Sequence, residues 1–145
     1  MIEIISFRIS DRPDLAAMSK QIRQSVFVEE QHVEPALEYD EYEEESTHYL
    51  LTYDGIPVAT ARWRETGKGI KLERFATRLS HRNRGLGAHL LMKVLEDVIP
   101  LRKRIYLNAQ LKAIPFYQRE GFVKIGDQFT EAGIEHYEME RMNKE

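Results

Sequence analysis

The stretch Arg82-Asn83-Arg84-Gly85-Leu86-Gly87-Ala88 sets two arginines and two glycines immediately before a run of good helix formers. Residues of these types have chemistry at a helix start. The first N–H groups of a helix lack intrahelical partners, and the macrodipole adds about half a positive charge there. Glycine lets a ligand approach the backbone closely, and arginine brings a fixed charge with several donors. A pyrophosphate suits such a seat. An ordinary strand-to-helix turn uses the same residue types, and the loop alone does not choose between the two. The spacing is not a P-loop, since no Lys-Ser or Lys-Thr follows, and it is not G-x-G-x-x-G.

Other chemistries are narrowed by composition. The 145 residues contain no cysteine, which excludes disulfides, thiolate metal sites and cysteine nucleophiles. No His/Asp/Glu spacing demands a metal, and no Ser/His/Asp arrangement stands out. His32, His48 and His136 are candidate bases, each read first as structural. Residues 38–45, EYDEYEEE, carry six acidic side chains. Such a run is ordinarily a solvated loop; the functional alternative is a rim that attracts a cationic amine. A formal charge of −3 argues against a general nucleic-acid binder. No apolar run approaches the roughly 20 residues of a membrane span. The N-terminal MIEIISFRIS reads as a strand and not as a signal peptide, so a cytoplasmic location is the expectation.

The elements that must position the loop follow from periodicity. Ile2, Ile4, Ile5 and Phe7 suggest a first strand. Ser10-Asp11-Arg12-Pro13-Asp14 supplies helix-start signals, and Leu15, Met18, Ile22 and Val26 predict a helix over 12–29. Residues 30–46 read as irregular. Two strands joined at Asp54-Gly55 form a hairpin, and the segment 70–77 is a third strand leading to the glycine loop. Leu91, Val94, Leu95 and Val98 form one apolar helix face, ended by Pro100. A short strand over 104–110, a short helix over 113–120 stopped at Gly121, and two strands around a Gly133 turn complete the chain. The length suits a single domain spanning 1–145. The order, β-α-β-β-β-α-β-α-β-β, implies an α/β fold with a mixed sheet.

Arg82-x-x-Gly85-x-Gly87 after a strand resembles the acetyl-CoA loop, R/Q-x-x-G-x-G/A, of the GNAT superfamily of N-acetyltransferases. Downstream, YLNAQLKAIPFYQREGF resembles that family's next motif: a strand ending in Asn, a helix with Phe-Tyr, then Gly-Phe. The N-terminal RQSVFVEEQHVEP and the late EAGIEHYEM further resemble a subgroup of small, poorly characterised bacterial members. With the strand order, the resemblance covers nearly the whole chain. One departure is Asn83, which stands where many members have the first glycine of the loop. Asn tolerates unusual backbone angles better than most residues.

The resemblance implies a mostly antiparallel mixed sheet flanked by helices, with a splayed parallel strand pair at the cofactor site. It implies acetyl-CoA as co-substrate. Phe75, Ala76 and Thr77 would pair through their backbone with the pantetheine arm, as a strand edge pairs with an extended peptide. The loop backbone of Arg82, Asn83, Arg84, Gly85, Leu86, Gly87 and Ala88 would hold the pyrophosphate. Asn108 would meet the cofactor near the splay, and Phe116 would lie along the pantetheine. Tyr117 matches the tyrosine that many members place near the sulfur, where a phenol can protonate the leaving thiolate. Glu73 matches the strand on which several members carry a glutamate base. Glu30 and Gln31 would line the acceptor pocket, and sheet edges or C-terminal strands would build homodimers. The reading is acetyl transfer to a primary amine, of a small molecule or a peptide, by direct attack. The rival is a non-catalytic CoA-binding or regulatory module of the same fold; plain nucleotide binding by the loop is a third option.

Overall fold

The computed structural model describes residues 1–141. After β1 (Ile2–Phe7), Pro13 and Asp14 open α1 (Pro13–Arg23), where proline's missing N–H is no loss and an acidic side chain faces the positive helix end. Leu15, Ser19 and Ile22 are buried along one side. The winding then loosens into a π-helix over Gln24–Glu30, which buries Val26 and Phe27. The helix expected over 12–29 therefore changes pitch midway. The span expected to be irregular contains one short helix, α2 (Pro35–Glu38).

Five more strands and two helices follow in an alternation that leaves the sheet as a middle layer. They are β2 (Thr47–Tyr53), β3 (Ile56–Thr66), β4 (Gly69–Thr77), α3 (Leu86–Val98), β5 (Ile105–Gln110) and, beyond α4 (Ile114–Arg119), β6 (Phe122–Glu131). β7 (Ile134–Arg141) ends the described chain. The sheet order is β1-β2-β3-β4-β5-β7-β6. The β2–β3 turn places Asp54 and Gly55 at φ 50° and 82°, as a two-residue hairpin with right-handed strand twist requires.

Alternation along the strands sorts the core into two layers. Tyr49 and Leu51 pack with Leu90, Leu91, Val94 and Val98 of α3. Leu50, between them in sequence, packs with Leu15, Ile22 and Val26 on the α1 side. Burying side chains of this size stabilises by about 1.5–3 kcal/mol each, which holds α3 and its N-terminal loop against the sheet.

All neighbouring strands are antiparallel except β4 and β5. These two run parallel and pair only over Ile70–Leu72 with Ile105–Leu107. Beyond that point β4 stays with β3 as far as Thr77, and β5 stays with β7 as far as Gln110. Their inner edges diverge. A β-bulge sits just where they part: the β3–β4 register shifts between Thr60 and Arg62, and Arg74 adopts φ 59°. An extra residue on one strand bends it and increases its twist. The expected α/β architecture, with a splayed parallel pair in a mostly antiparallel sheet, is what the chain forms. No described helix is long and apolar enough to cross a membrane.

Candidate active site

The divergence of β4 and β5 opens a cleft of about 430 Å³. Phe75 and Tyr117 border it from the α3/α4 side of the sheet, and Glu73, Asn108, Gln110 and His136 border it from the α1 side. The β4 edge over Phe75–Thr77 has no strand partner on its β5 side. Apart from the Thr77 carbonyl, which accepts from Arg82 Nε, its backbone groups on that side are open to an extended ligand.

The glycine loop lies at the far end of that edge. Asn83 and Gly85 take φ 64° and 76°, and Gly85 directly precedes α3. A side chain added at Gly85 would meet nothing within 4 Å, so the helix N-terminus faces open space. One added at Gly87 would come 3.7 Å from the Phe116 ring and 3.9 Å from Thr77 Oγ1. The loop, the end of β4 and α4 thus converge. Free N–H groups above an unpaired strand edge, with an aromatic ring beneath, suit a phosphate joined to an extended amide-rich arm.

Arg82 is engaged within the protein. Its Nε donates to the Thr77 carbonyl at 2.8 Å, and its two terminal nitrogens donate to the Glu30 carboxylate at 2.6 Å each. Glu30, expected in the acceptor pocket, instead ties the π-helix to the glycine loop. Gln31 does line the cleft, where it accepts a hydrogen bond from Gln110 Nε2 at 2.8 Å.

Tyr117 stands in an aromatic cluster with Phe75, Phe116 and Phe122, ring centroids 6.2, 5.0 and 5.8 Å away. Burial pushes its phenol well above the ordinary tyrosine value. It therefore stays protonated and able to donate.

Glu73, expected to act as base, is 8% exposed and clamped by cations. Its Oε1 accepts from Arg62 Nε at 3.2 Å and Arg64 Nε at 2.7 Å, and its Oε2 lies 3.3 Å from Lys71 Nζ. Burial pushes its carboxyl up, but the charges of Arg62, Lys71 and Arg64 outweigh this and hold it below the usual range. A carboxylate so held has little affinity for a further proton.

The acidic run is neither a solvated loop nor a free rim. Arg23 is 3% exposed, and its Nε donates to Glu38 at 2.6 Å while its terminal nitrogens hold Glu43 at 2.7 and 2.8 Å. Arg62, with no exposed surface, holds Asp40 at 2.7 and 2.9 Å and also contacts Glu43. Arg74, turned outward by the bulge, reaches Glu38 and Asp40 at 3.1 Å each. Half of the run is thus an internal counter-charge for buried arginines, while Glu41, Glu44 and Glu45 are exposed. On β3, Arg62 shares its side of the sheet with Thr60 and Arg64, while Ala59, Ala61 and Trp63 face the opposite core.

Of the histidines, His32 is exposed at φ 60°. His48 is buried against Phe7, with ring centroids 5.6 Å apart and Nε2 2.8 Å from the Glu43 carbonyl. Only His136 borders the cleft. Among the described residues, no group of three acidic or histidine side chains is placed to hold a metal ion.

Comparison with known proteins agrees with this geometry. The family model described as acetyltransferase (GNAT) domain matches residues 14–142. An uncharacterized N-acetyltransferase of Bacillus subtilis, YjcF, is 41% identical over 122 residues, which cover 81% of this chain and 86% of the relative. The crystal structure of an acyl-CoA N-acyltransferase from Pseudomonas aeruginosa superposes with a TM-score of 0.85 at 26% identity, covering 98% of this chain and 100% of that one. A GNAT family acetyltransferase from Elizabethkingia anophelis, solved with acetyl-CoA bound, shares the fold at TM-score 0.68 and 17% identity over 96% of this chain and 94% of that one. With its family model matched from the first helix to the last strand, the chain belongs to the GNAT family of acetyltransferases.

Proposed function

We propose that the protein transfers acetyl from acetyl-CoA to a primary amine by direct attack. The carrying observation is the unpaired β4 edge running from Tyr117 and Phe75 at one end to the glycine loop at the other. Acetyl-CoA supplies an activated thioester, and the fold relative with acetyl-CoA bound supports it as co-substrate. In this chain, the loop from Arg82 to Ala88 would hold the pyrophosphate through backbone N–H groups. Phe75, Ala76 and Thr77 would bind the pantetheine through the strand edge. Phe116 would pack along that arm and Asn108 would meet it at the splay.

The amine enters from the α1 side, through the cleft, so the two substrates meet from opposite faces of the sheet. Phe27 and Val33, both buried at the cleft wall, give it an apolar side, and Gln31 lines the same passage. Tyr117 donates its proton to the departing thiolate. We read Glu73 as the charge that orders Arg62, Arg64 and Lys71 beneath the cleft, and not as the proton acceptor.

The test is coenzyme A release from acetyl-CoA across a panel of polyamines, aralkylamines, amino sugars, amino acids and peptide N-termini, with the product identified by mass spectrometry. An N-acetylated product supports the reading. Acetyl-CoA binding without turnover across the whole panel would support a non-catalytic CoA-binding module instead.

A further inference from the structure

The register of β5 and β7 pairs Gln110 with His136 and Asn108 with Glu138. These side chains share the α1 side of the sheet, since Leu107, Ala109 and Met139 fill the opposite core. His136 is 6% exposed, and what remains accessible borders the cleft. Its Nδ1 lies 2.7 Å from the Ile134 carbonyl. A carbonyl only accepts, so Nδ1 carries the proton and donates it. In the neutral ring Nε2 is then a bare lone pair. Phe129 stacks on the ring, with centroids 5.8 Å apart and planes 20° from parallel. Nε2 faces the Glu131 carboxylate, whose Oε2 is 3.9 Å away. The other Glu131 oxygen accepts from Asn108 Nδ2 at 3.2 Å. The ring is thus fixed in tautomer and plane, and its free nitrogen has a carboxylate beside it. Further charged groups around the ring are Glu135 on its own strand, Lys112 after β5, and Lys71, Glu73 and Arg74 on β4.

Resting on the acetyl-transfer reading above, we propose that His136 Nε2 is the general base that deprotonates the acceptor ammonium. Glu131 attracts that ammonium and stabilises the imidazolium that follows. One N–H bond of the ammonium breaks and an Nε2–H bond forms. The freed nitrogen pair then attacks the thioester carbonyl, forming C–N. The tetrahedral adduct collapses with loss of the C–S bond, and the thiolate takes the Tyr117 proton. The nitrogen's surplus proton restores the phenol, and the imidazolium returns its proton to solvent. Ammonium and thioester give amide, thiol and one proton.

His136→Asn keeps an N–H where Nδ1–H stood, so the Ile134 hydrogen bond survives, but it has no counterpart of Nε2. The probes are 2-phenylethylamine, which suits the apolar wall, and its much less basic β,β-difluoro analogue. With the first, kcat/KM should fall about 10²–10⁴-fold, with melting temperature and acetyl-CoA affinity near wild type. The deficit should shrink with the fluorinated amine, which needs less deprotonation. Equal deficits for both amines, or no deficit, would overturn the base role. Nitrogen-15 NMR of labelled histidine in the wild type provides an independent check. The Nδ1–H tautomer is expected; an Nε2–H tautomer overturns the assignment even if both amines are acetylated. A wild type that releases no coenzyme A with any amine of the panel sinks the transfer reading instead, and the base role with it.

Discussion

Glu30 holds Arg82 through a pair of 2.6 Å hydrogen bonds, joining the end of the π-helix to the glycine loop. A phosphate arriving at the loop must therefore share this guanidinium with a carboxylate or displace it. Glu30→Gln should tighten acetyl-CoA binding several-fold in calorimetry at low salt. Fold stability should change by less than about 1 kcal/mol, as expected for a partly exposed pair. Arg82→Ala should weaken acetyl-CoA more than a pantetheine fragment lacking phosphates. If Glu30→Gln weakens acetyl-CoA as much as Arg82→Ala does, the pair is a structural strut and the arginine has no phosphate role.

Gly85 tests the loop from the backbone side. A side chain there meets open space in the protein, where the ligand would approach, and φ 76° is poorly tolerated by a β-branched residue. Gly85→Val should abolish the acetyl-CoA-induced rise in melting temperature, which comes from binding to the folded state alone. The variant should still fold, at a cost of about 1–3 kcal/mol for the strained residue. An undiminished ligand shift would remove the loop from the cofactor site.

The arginine network predicts an acid-sensitive fold. Burial pushes the Asp40 carboxyl up, but Arg62's hydrogen bonds and charge outweigh this and hold it at about 2. Glu43 and Glu73 are lowered by their arginine partners in the same way, while burial raises Glu38. A lowered folded value means that the unfolded chain binds protons first. The stabilisation is then complete above the unfolded values of 3.8 and 4.5 and is lost as pH falls through the folded ones. Melting temperature should drop steeply between about pH 4.5 and 2. Asp40→Asn should be less stable at pH 7 and show a shallower drop. An unchanged acid profile would mean that Asp40 contributes nothing to the network.

Much of this was legible in the chain. The hairpin at Asp54-Gly55, the apolar face of α3 and the strand order announced the mixed sheet, because periods of 2 and 3.6 and turn chemistry are local properties. Arg82 to Gly87 announced a helix entrance for the same reason. The splay itself was reached only through family resemblance, since the Arg74 bulge has no glycine or asparagine to mark it. The fates of Glu30 and the acidic run were hidden because their partners lie far along the chain. Arg82 is 52 residues from Glu30, and Arg62 is 22 from Asp40. His136 looked like any strand histidine until the β6–β7 hairpin brought Glu131 beside it.

The central claim is acetyl transfer with Tyr117 as the proton donor to the thiolate, and Tyr117→Phe tests it most directly. The substitution removes one hydroxyl and keeps the ring that packs on Phe75, Phe116 and Phe122. The decisive measurement is coenzyme A release by wild type and variant at several pH values with saturating acceptor. The expected result is a kcat lower by about 10²–10⁴-fold, unchanged acetyl-CoA affinity and an unmoved low-pH limb. Wild-type kcat in the variant across the pH range would contradict it and leave Tyr117 as a packing residue.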